Sequence, residues 1–504
     1  MKLRHRSTTS SRRSISLCVC WCVLLTGWGC AQADLSSAQN AYRNGNLPAA
    51  EKWIDQYVKE QGDGVHRVIA YLEQGSIRRD AGELEASLAS FDAADEAITE
   101  IDRAPDVSLS RETLAAFSNL NALPYRATYA DRIMLYTLRA LNYLELGDAD
   151  RARVELRRAY ARQREAVQQN AERYDAQRAQ RDTRFQAGLE ASYADLDRYQ
   201  AYGEYANPFA EWLQGLYYLS EAVDGSDVER GRFALTRAAG MVPGNTFLEA
   251  DRQLAERIAA GEPTPRMTWV VFATGTAPLR SEVRIDIPLF LFGGDVDYVG
   301  ANFPRLVENP NYLRSLTAQP APGYDSGNNQ TTASVSTELL ADMDLIVAEE
   351  FKIDLPVIIS KTLIAAGTKA AAAYALREPF DHHDDGLTAI VRIATTVYQY
   401  AANQADLRTW GSLPKQYQIA RLPTPESGKI TLSTPGGVNA HGVPSGAVGR
   451  AATPLTLDLL PGEFNVVVVR SINTYSPLRI SQFSLGKDAP RWTEPSAECC
   501  RSHC

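Results

Sequence analysis

Residues 136–159 decide the fold of the N-terminal half. Tyr136, Ala140, Tyr143, Gly147, Ala152, Leu156 and Ala159 stand at the spacing of two helices joined by a tight turn. Apolar and small residues recur at i, i+3, i+4 and i+7, the period of an amphipathic helix. Small Ala140 and Ala152 let two backbones approach, Tyr143 and Leu156 fill the gap, and Gly147 permits the reversal.

The pattern extends outward in both directions. Upstream stand Tyr71, Gly75, Gly82, Leu84, Ser87, Phe91 and Ala94, and before them a degenerate Ala41, Gly45, Leu47, Ala50 and Ile54. Downstream, Asn207-Pro208-Phe209 leads into Trp212, Gly215 and Tyr218. A longer turn, Asp224-Gly225-Ser226, then precedes Phe233, Ala238 and Pro243. The offsets match the tetratricopeptide pattern, whose period is about 34 residues, and a solenoid needs about three copies. Residues 34–260 are therefore expected to form a tetratricopeptide-like α-solenoid. A generic helical bundle is the alternative, because helix pairs pack by the same rules.

A polar stretch, about 151–202, interrupts the array and reads as a long helix or helix pair. Its arginines alternate with Glu155, Glu165, Glu172, Asp175 and Asp182, the spacing of a solvated, ion-paired helix rather than a nucleic-acid face.

After the linker Gly261-Glu262-Pro263-Thr264-Pro265 the pattern changes. Trp269–Thr274 and Glu282–Phe292 read as strands, and 317–333 as a loop. Glu338–Lys352, Leu355–Arg377 and Leu387–Asn403 read as helices. From Gln418 the chain is β again, with strands expected at Lys429–Ser433, Pro454–Leu459, Phe464–Arg470 and Leu478–Leu485. Short strands so spaced suggest a small sandwich. The fold class is α+β: the solenoid, a mixed β/α region over 266–405, a β-rich, sandwich-like C-terminal domain over 406–488, and a flexible tail over 489–504. At 504 residues the length agrees with about three domains.

Hydrophobic residues make up 45% and charged residues 22%, ordinary globular proportions that exclude a disordered, collagenous or multi-span membrane chain. Net charge is −9, and Lys2, Arg4, Arg6, Arg12 and Arg13 all lie in the first 29 residues, so the remainder is more acidic still. That argues against a nucleic-acid partner.

The N-terminus reads as an export signal over residues 1–29. Basic residues end at Arg13, and the apolar run Ile15–Trp28 is shorter than the roughly 20 residues a membrane span takes. Leu25-Thr26-Gly27-Trp28-Gly29-Cys30 resembles a lipobox, although Gly27 and Trp28 depart from it; Cys30 would then be lipidated. Alternatively Ala31-Gln32-Ala33 is a signal-peptidase site that releases a soluble periplasmic or secreted protein beginning at Asp34. The seven cysteines are Cys18, Cys20, Cys22, Cys30, Cys499, Cys500 and Cys504, so the body carries neither a disulfide framework nor a Cys metal site.

Asp381-His382-His383-Asp384-Asp385 has metal-ligand chemistry. Adjacent residues on one loop do not converge easily on one ion, and His66 and His441 lie far away, so the string reads as a polar turn. The Cys/His tail lacks a second ligand pair. Pro425-Glu426-Ser427-Gly428-Lys429 lacks the first glycine and the helix of a phosphate loop. Asp406, Arg408 and Trp410 are a candidate recognition spot, or else pin the last helix to the β region by an ion pair and a buried aromatic. No nucleophile elbow, zincin helix or dinucleotide fingerprint is present. We expect no catalytic residue, no metal and no cofactor.

Taken in order, Asn207-Pro208-Phe209 with Gly215-Leu216, Pro243-Gly244-Asn245, and Val271-Phe272-x-Thr274-Gly275-x-Ala277-Pro278 form a recognisable series. It continues through Asp342-Met343-Asp344, Glu350-Phe351-Lys352, Leu355-Pro356, Ala405-Asp406-x-Arg408-x-Trp410 and Leu413-Pro414. The series resembles bacterial envelope lipoproteins with a tetratricopeptide N-terminal half and no established activity. The resemblance implies a lipoprotein of the outer membrane that faces the periplasm, and it supplies no catalytic residues. The expected function is a non-enzymatic scaffold for an envelope protein or peptide partner, held to the membrane by the lipid on Cys30. The alternative is an envelope enzyme or a glycan-binding module using the C-terminal β domain.

Overall fold

The computed structural model describes residues 34–104, 123–179, 207–288, 298–321, 334–355, 405–434 and 455–490, with single positions 196, 202, 358, 359 and 362. The expected signal, Cys30, the 381–385 string and the Cys-containing tail lie outside the described residues.

The N-terminal half is helical: α1 Leu35–Arg43, α2 Leu47–Gln61, α3 Arg67–Ala81, α4 Leu84–Arg103, α5 Tyr129–Glu145, α6 Ala149–Ala179, α7 Pro208–Ser220, α8 Gly225–Met241 and α9 Thr246–Ala259. They pack as consecutive pairs, α1 on α2, α3 on α4, α5 on α6 and α7 on α8, with α9 against α8. The first three pairs reverse at Gly45, Gly82 and Gly147, whose φ values of 74°, 88° and 81° lie in the left-handed region. Within the second pair Gly75 is a contact point: a Cβ there would lie 2.3 Å from the Phe91 ring. The polar stretch begins inside the third pair. Ala152, Leu156 and Ala159 of α6 are buried in the common core, while Arg153, Arg158 and Arg162 pair with Asp227, Asp95 and Glu165. In the fourth pair Phe233 is 57% exposed and the neighbouring Ala234 and Leu235 face inward.

Eleven strands follow among the described residues: β1 Met267–Thr274, β2 Leu279–Pro288, β3 Tyr298–Val307, β4 Thr317–Pro320, β5 Val335–Ser336, β6 Glu338–Asp342, β7 Gln416–Pro423, β8 Lys429–Ser433, β9 Leu455–Asp458, β10 Phe464–Ser471 and β11 Arg479–Leu485. The larger sheet has the order β11-β10-β1-β7-β6, with β1 parallel to β10 and antiparallel to β7. A second sheet has the order β5-β4-β8-β9, and β2 and β3 form a separate ribbon.

Strand alternation explains the layering. On β1, Trp269, Val271 and Ala273 join the core shared with the helices, whereas Val270 and Phe272 join the core shared with the second sheet. On β10, Val466 and Val468 go one way and Val467 and Val469 the other. These strands are covered on both faces, which is why they read as continuous apolar runs. The order of layers is helices, five-stranded sheet, four-stranded sheet.

Three expectations change. Residues 338–342 form a strand, because they pair with β7 as far as Asp342, and helix begins only at 343. Residues 317–320, expected as loop, are strand β4, paired to β8 and β5. A boundary at 405/406 would cut through the larger sheet: β1 and β6 precede it, β7, β10 and β11 follow it, and β1 sits between β7 and β10.

Candidate functional site

The first helices of the pairs meet the larger sheet, and the contact is polar as well as apolar. On α3, Glu73 is completely buried. It accepts from Gln39 Nε2 at 2.6 Å, from the Gly411 amide at 2.7 Å and from the Ser412 amide at 3.2 Å. Burial pushes its pKa up, and these hydrogen bonds hold it back. Gln39 Nε2 also donates to the Thr409 carbonyl at 2.9 Å, and the Tyr42 hydroxyl donates to the Ser412 carbonyl at 3.1 Å. The Trp410 indole inserts beside Phe91, with ring centroids 6.1 Å apart, and donates to Ser76 Oγ at 3.0 Å. Residues 409–412, which turn at 411–412, are thus held by backbone hydrogen bonds and one aromatic anchor.

About two turns beyond Glu73 on α3, Asp80 meets Arg470, which follows the apolar run of strand β10. Arg470 Nε lies 2.9 Å from Asp80, its Nη2 donates to the Tyr42 hydroxyl at 2.8 Å, and its Nη1 donates to the Gly275 and Ser471 carbonyls at 2.7 and 2.8 Å. Burial raises the Tyr42 hydroxyl well above its ordinary range. Arg79, beside Asp80, donates to Asn142 and Glu145 on α5.

Between these groups lies a cavity of about 290 Å³. Arg79, Asp80, Glu145, Arg470 and Arg479 supply its charges, Leu138, Leu141 and Val468 part of its apolar wall. Tyr417 of β7 also lines it, stacked on Phe209 with centroids 3.9 Å apart. Its hydroxyl is buried and has no hydrogen-bond partner among the described residues, and burial raises its pKa.

A second buried carboxylate, Asp251 of α9, ties the array to the sheet elsewhere. It accepts from Trp212 Nε1 of α7 at 2.9 Å and from Trp269 Nε1 of β1 at 3.0 Å, and lies 3.3 Å from Arg421 Nε of β7. Burial pushes it up to about 6, against the charge of Arg421 and the two indole donors. Asp344 is pushed up to about 7 by burial, despite its ion pair with Lys415.

No family model matches the chain, and no curated protein matches it. Among solved structures, a tetratricopeptide repeat protein from Parabacteroides merdae is 14% identical, with 44% of this chain and 97% of that chain covered and a TM-score of 0.13.

The residues singled out from sequence fall as follows. Ala140, Ala152, Leu156 and Ala159 are at most 2% exposed at the α5–α6 contact; Tyr136 is buried, and Tyr143 packs against the core at its edge. Asp406 and Arg408 form a bidentate pair, 2.8 and 2.7 Å. Burial works against the Asp406 carboxylate, yet Arg408 keeps its pKa below the ordinary range. Arg408 also donates to the Leu123 carbonyl at 2.8 Å, and its Nη1 lies 3.3 Å from His66 Nδ1. With Trp410, which is 2% exposed, they hold 405–412 against the helices through an ion pair and a buried aromatic, the pinning alternative of the two. Sequence reading missed Glu73, Asp80, Arg470 and Tyr417. The available signal was Arg470, a lone cation closing the run Val466-Val467-Val468-Val469. Among the described residues no group of three or more His, Cys, Asp or Glu could hold a metal ion, and no helix is long and apolar enough to cross a membrane.

Proposed function

We propose that this protein is a non-enzymatic scaffold of the bacterial envelope, a tetratricopeptide-type array fused to a β platform and anchored by lipid on Cys30. The observation that carries the reading is the grip on residues 409–412. Helices α1, α3 and α4 hold a short loop segment through its amides, carbonyls and one indole, and such polar contacts to main chain can equally hold a partner's peptide. That inner surface is filled in cis, and the partner protein accordingly docks on the outward face of the second helices, where Trp53, Val154 and Phe233 are exposed. The motif order and the export signal support the envelope assignment.

A photoreactive residue at Phe233 should cross-link to a discrete protein in intact cells, whereas one at buried Ala238 should not. Absence of discrete adducts from positions 53, 154 and 233 alike would overturn the scaffold reading. The anchor is tested separately: Cys30→Ala should move the protein from the membrane to the soluble periplasmic fraction. A soluble wild-type protein beginning at Asp34 would overturn lipidation.

A further inference from the structure

We infer that the cavity between α3, α5 and the sheet is a binding site for an apolar group carrying one carboxylate. Its volume, about 290 Å³, lies at the lower end of small-molecule sites, roughly 300–1,000 Å³. That excludes a folded domain and fits one amino-acid residue or a small organic acid.

Charge arithmetic selects the ligand's sign. Three guanidinium groups and two carboxylates line the cavity. Arg79 is paired with Glu145, and Arg470 with Asp80. Arg479 is different. Its Nη1 donates to the Ala81 carbonyl at 3.0 Å, and no carboxylate of the described residues lies within ion-pair distance. It is exposed, next to exposed Gly82, so a cation without a direct ion pair stands at the rim, with Glu51 acting on it from further off, while Leu138, Leu141 and Val468 are buried behind it. A cation at the mouth with an apolar wall behind it matches a carboxylate on a hydrophobic body. A dianion is disfavoured, because Asp80 and Glu145 would face its second charge.

The inference goes beyond the scaffold reading and stands on the cavity alone, whether or not a partner docks on the outer helices. The shared chemistry has two sources, the C-terminal residue of a polypeptide and a free hydrophobic acid. Calorimetric titration of the full chain with N-acetyl-leucine, N-acetyl-leucinamide and 4-methylpentanoate tests the site and separates the sources. At least one acid should bind saturably, and the neutral amide should bind about tenfold more weakly or not at all. Arg479→Gln, an exposed change, should leave the melting temperature unaltered and remove the preference for acid over amide. Tighter binding of N-acetyl-leucine points to a polypeptide terminus, and equal or tighter binding of 4-methylpentanoate to a free acid; both support the site. Equal binding of N-acetyl-leucine and its amide, no saturable binding of either acid, or an undiminished preference in Arg479→Gln would overturn it.

Discussion

Trp269 on the central strand β1 donates its indole N–H to the carboxylate of Asp251 on α9, at 3.0 Å, across the boundary between sheet and helices. Trp212 of α7 donates to the same group at 2.9 Å. One buried acid therefore satisfies two of the largest buried side chains and fixes α7, α9 and β1 relative to one another. Asp251→Ala leaves two indole donors and the Arg421 charge without their acceptor. The expected loss is about 3–5 kcal/mol, the range for breaking a buried ionic cluster from one side. Urea unfolding followed by tryptophan emission measures it, and a loss under about 1 kcal/mol would mean that Asp251 does not organise this junction.

The same carboxylate gives a pH signature. Its folded pKa, about 6, lies above the ordinary 3.8, so the native state holds this proton more tightly than the unfolded chain. The stability it contributes is fully present below about pH 4 and is lost as pH rises through about 6. Asp251→Asn cannot titrate. The stability of the wild type relative to this variant should therefore fall between about pH 4 and about pH 6. A gap between their urea midpoints that stays constant over that range would contradict the shift.

Close helix contacts make a second set. Gly75→Ala would put a Cβ 2.3 Å from Phe91, and Ala152, completely buried, has no room for Leu. Each change should cost about 1–3 kcal/mol by overpacking. Gly240→Ala on α8 meets nothing within 4 Å and should cost nothing. Thermal melts of the three variants check the order; equal melting temperatures would show that the pairs do not touch where described.

Two buried tyrosines near Arg470 should behave in opposite ways. Tyr42 bonds to Asp80, Arg470 and the Ser412 carbonyl, so Tyr42→Phe should destabilise by about 1–3 kcal/mol. The Tyr417 hydroxyl has no such partner among the described residues, and Tyr417→Phe retains the stack on Phe209. It should be neutral or slightly stabilising. Denaturant midpoints decide, and equal losses would place an unrecognised partner on Tyr417.

The helical hairpins were legible because local rules write them. The period of apolar residues, the turn glycines and the asparagine caps at Asn46, Asn207 and Asn245 act within a few residues of chain. Strands β1, β8, β10 and β11 were legible for the same reason, as short runs of β-formers between turns. Residues 338–342 were not. Glu338-Leu339-Leu340-Ala341 has good helix formers, and only the unpaired edge of β7 converts it to strand.

The sequence by itself determined most of the elements of this protein: helix pairs, strands and turns follow from spacings short enough to read along the chain. Tertiary structure alone decided how they combine. It set β1 between two strands that lie over 140 residues further on, turned the first helices toward the sheet, and brought Glu73 to residues 411 and 412 and Asp80 to Arg470. Those contacts close loops of hundreds of residues, and a loop's closing entropy grows only with the logarithm of its length. No local pattern marks which distant strand or charge will be the partner; burial of shared apolar faces and the cost of leaving a buried charge unpaired make that choice.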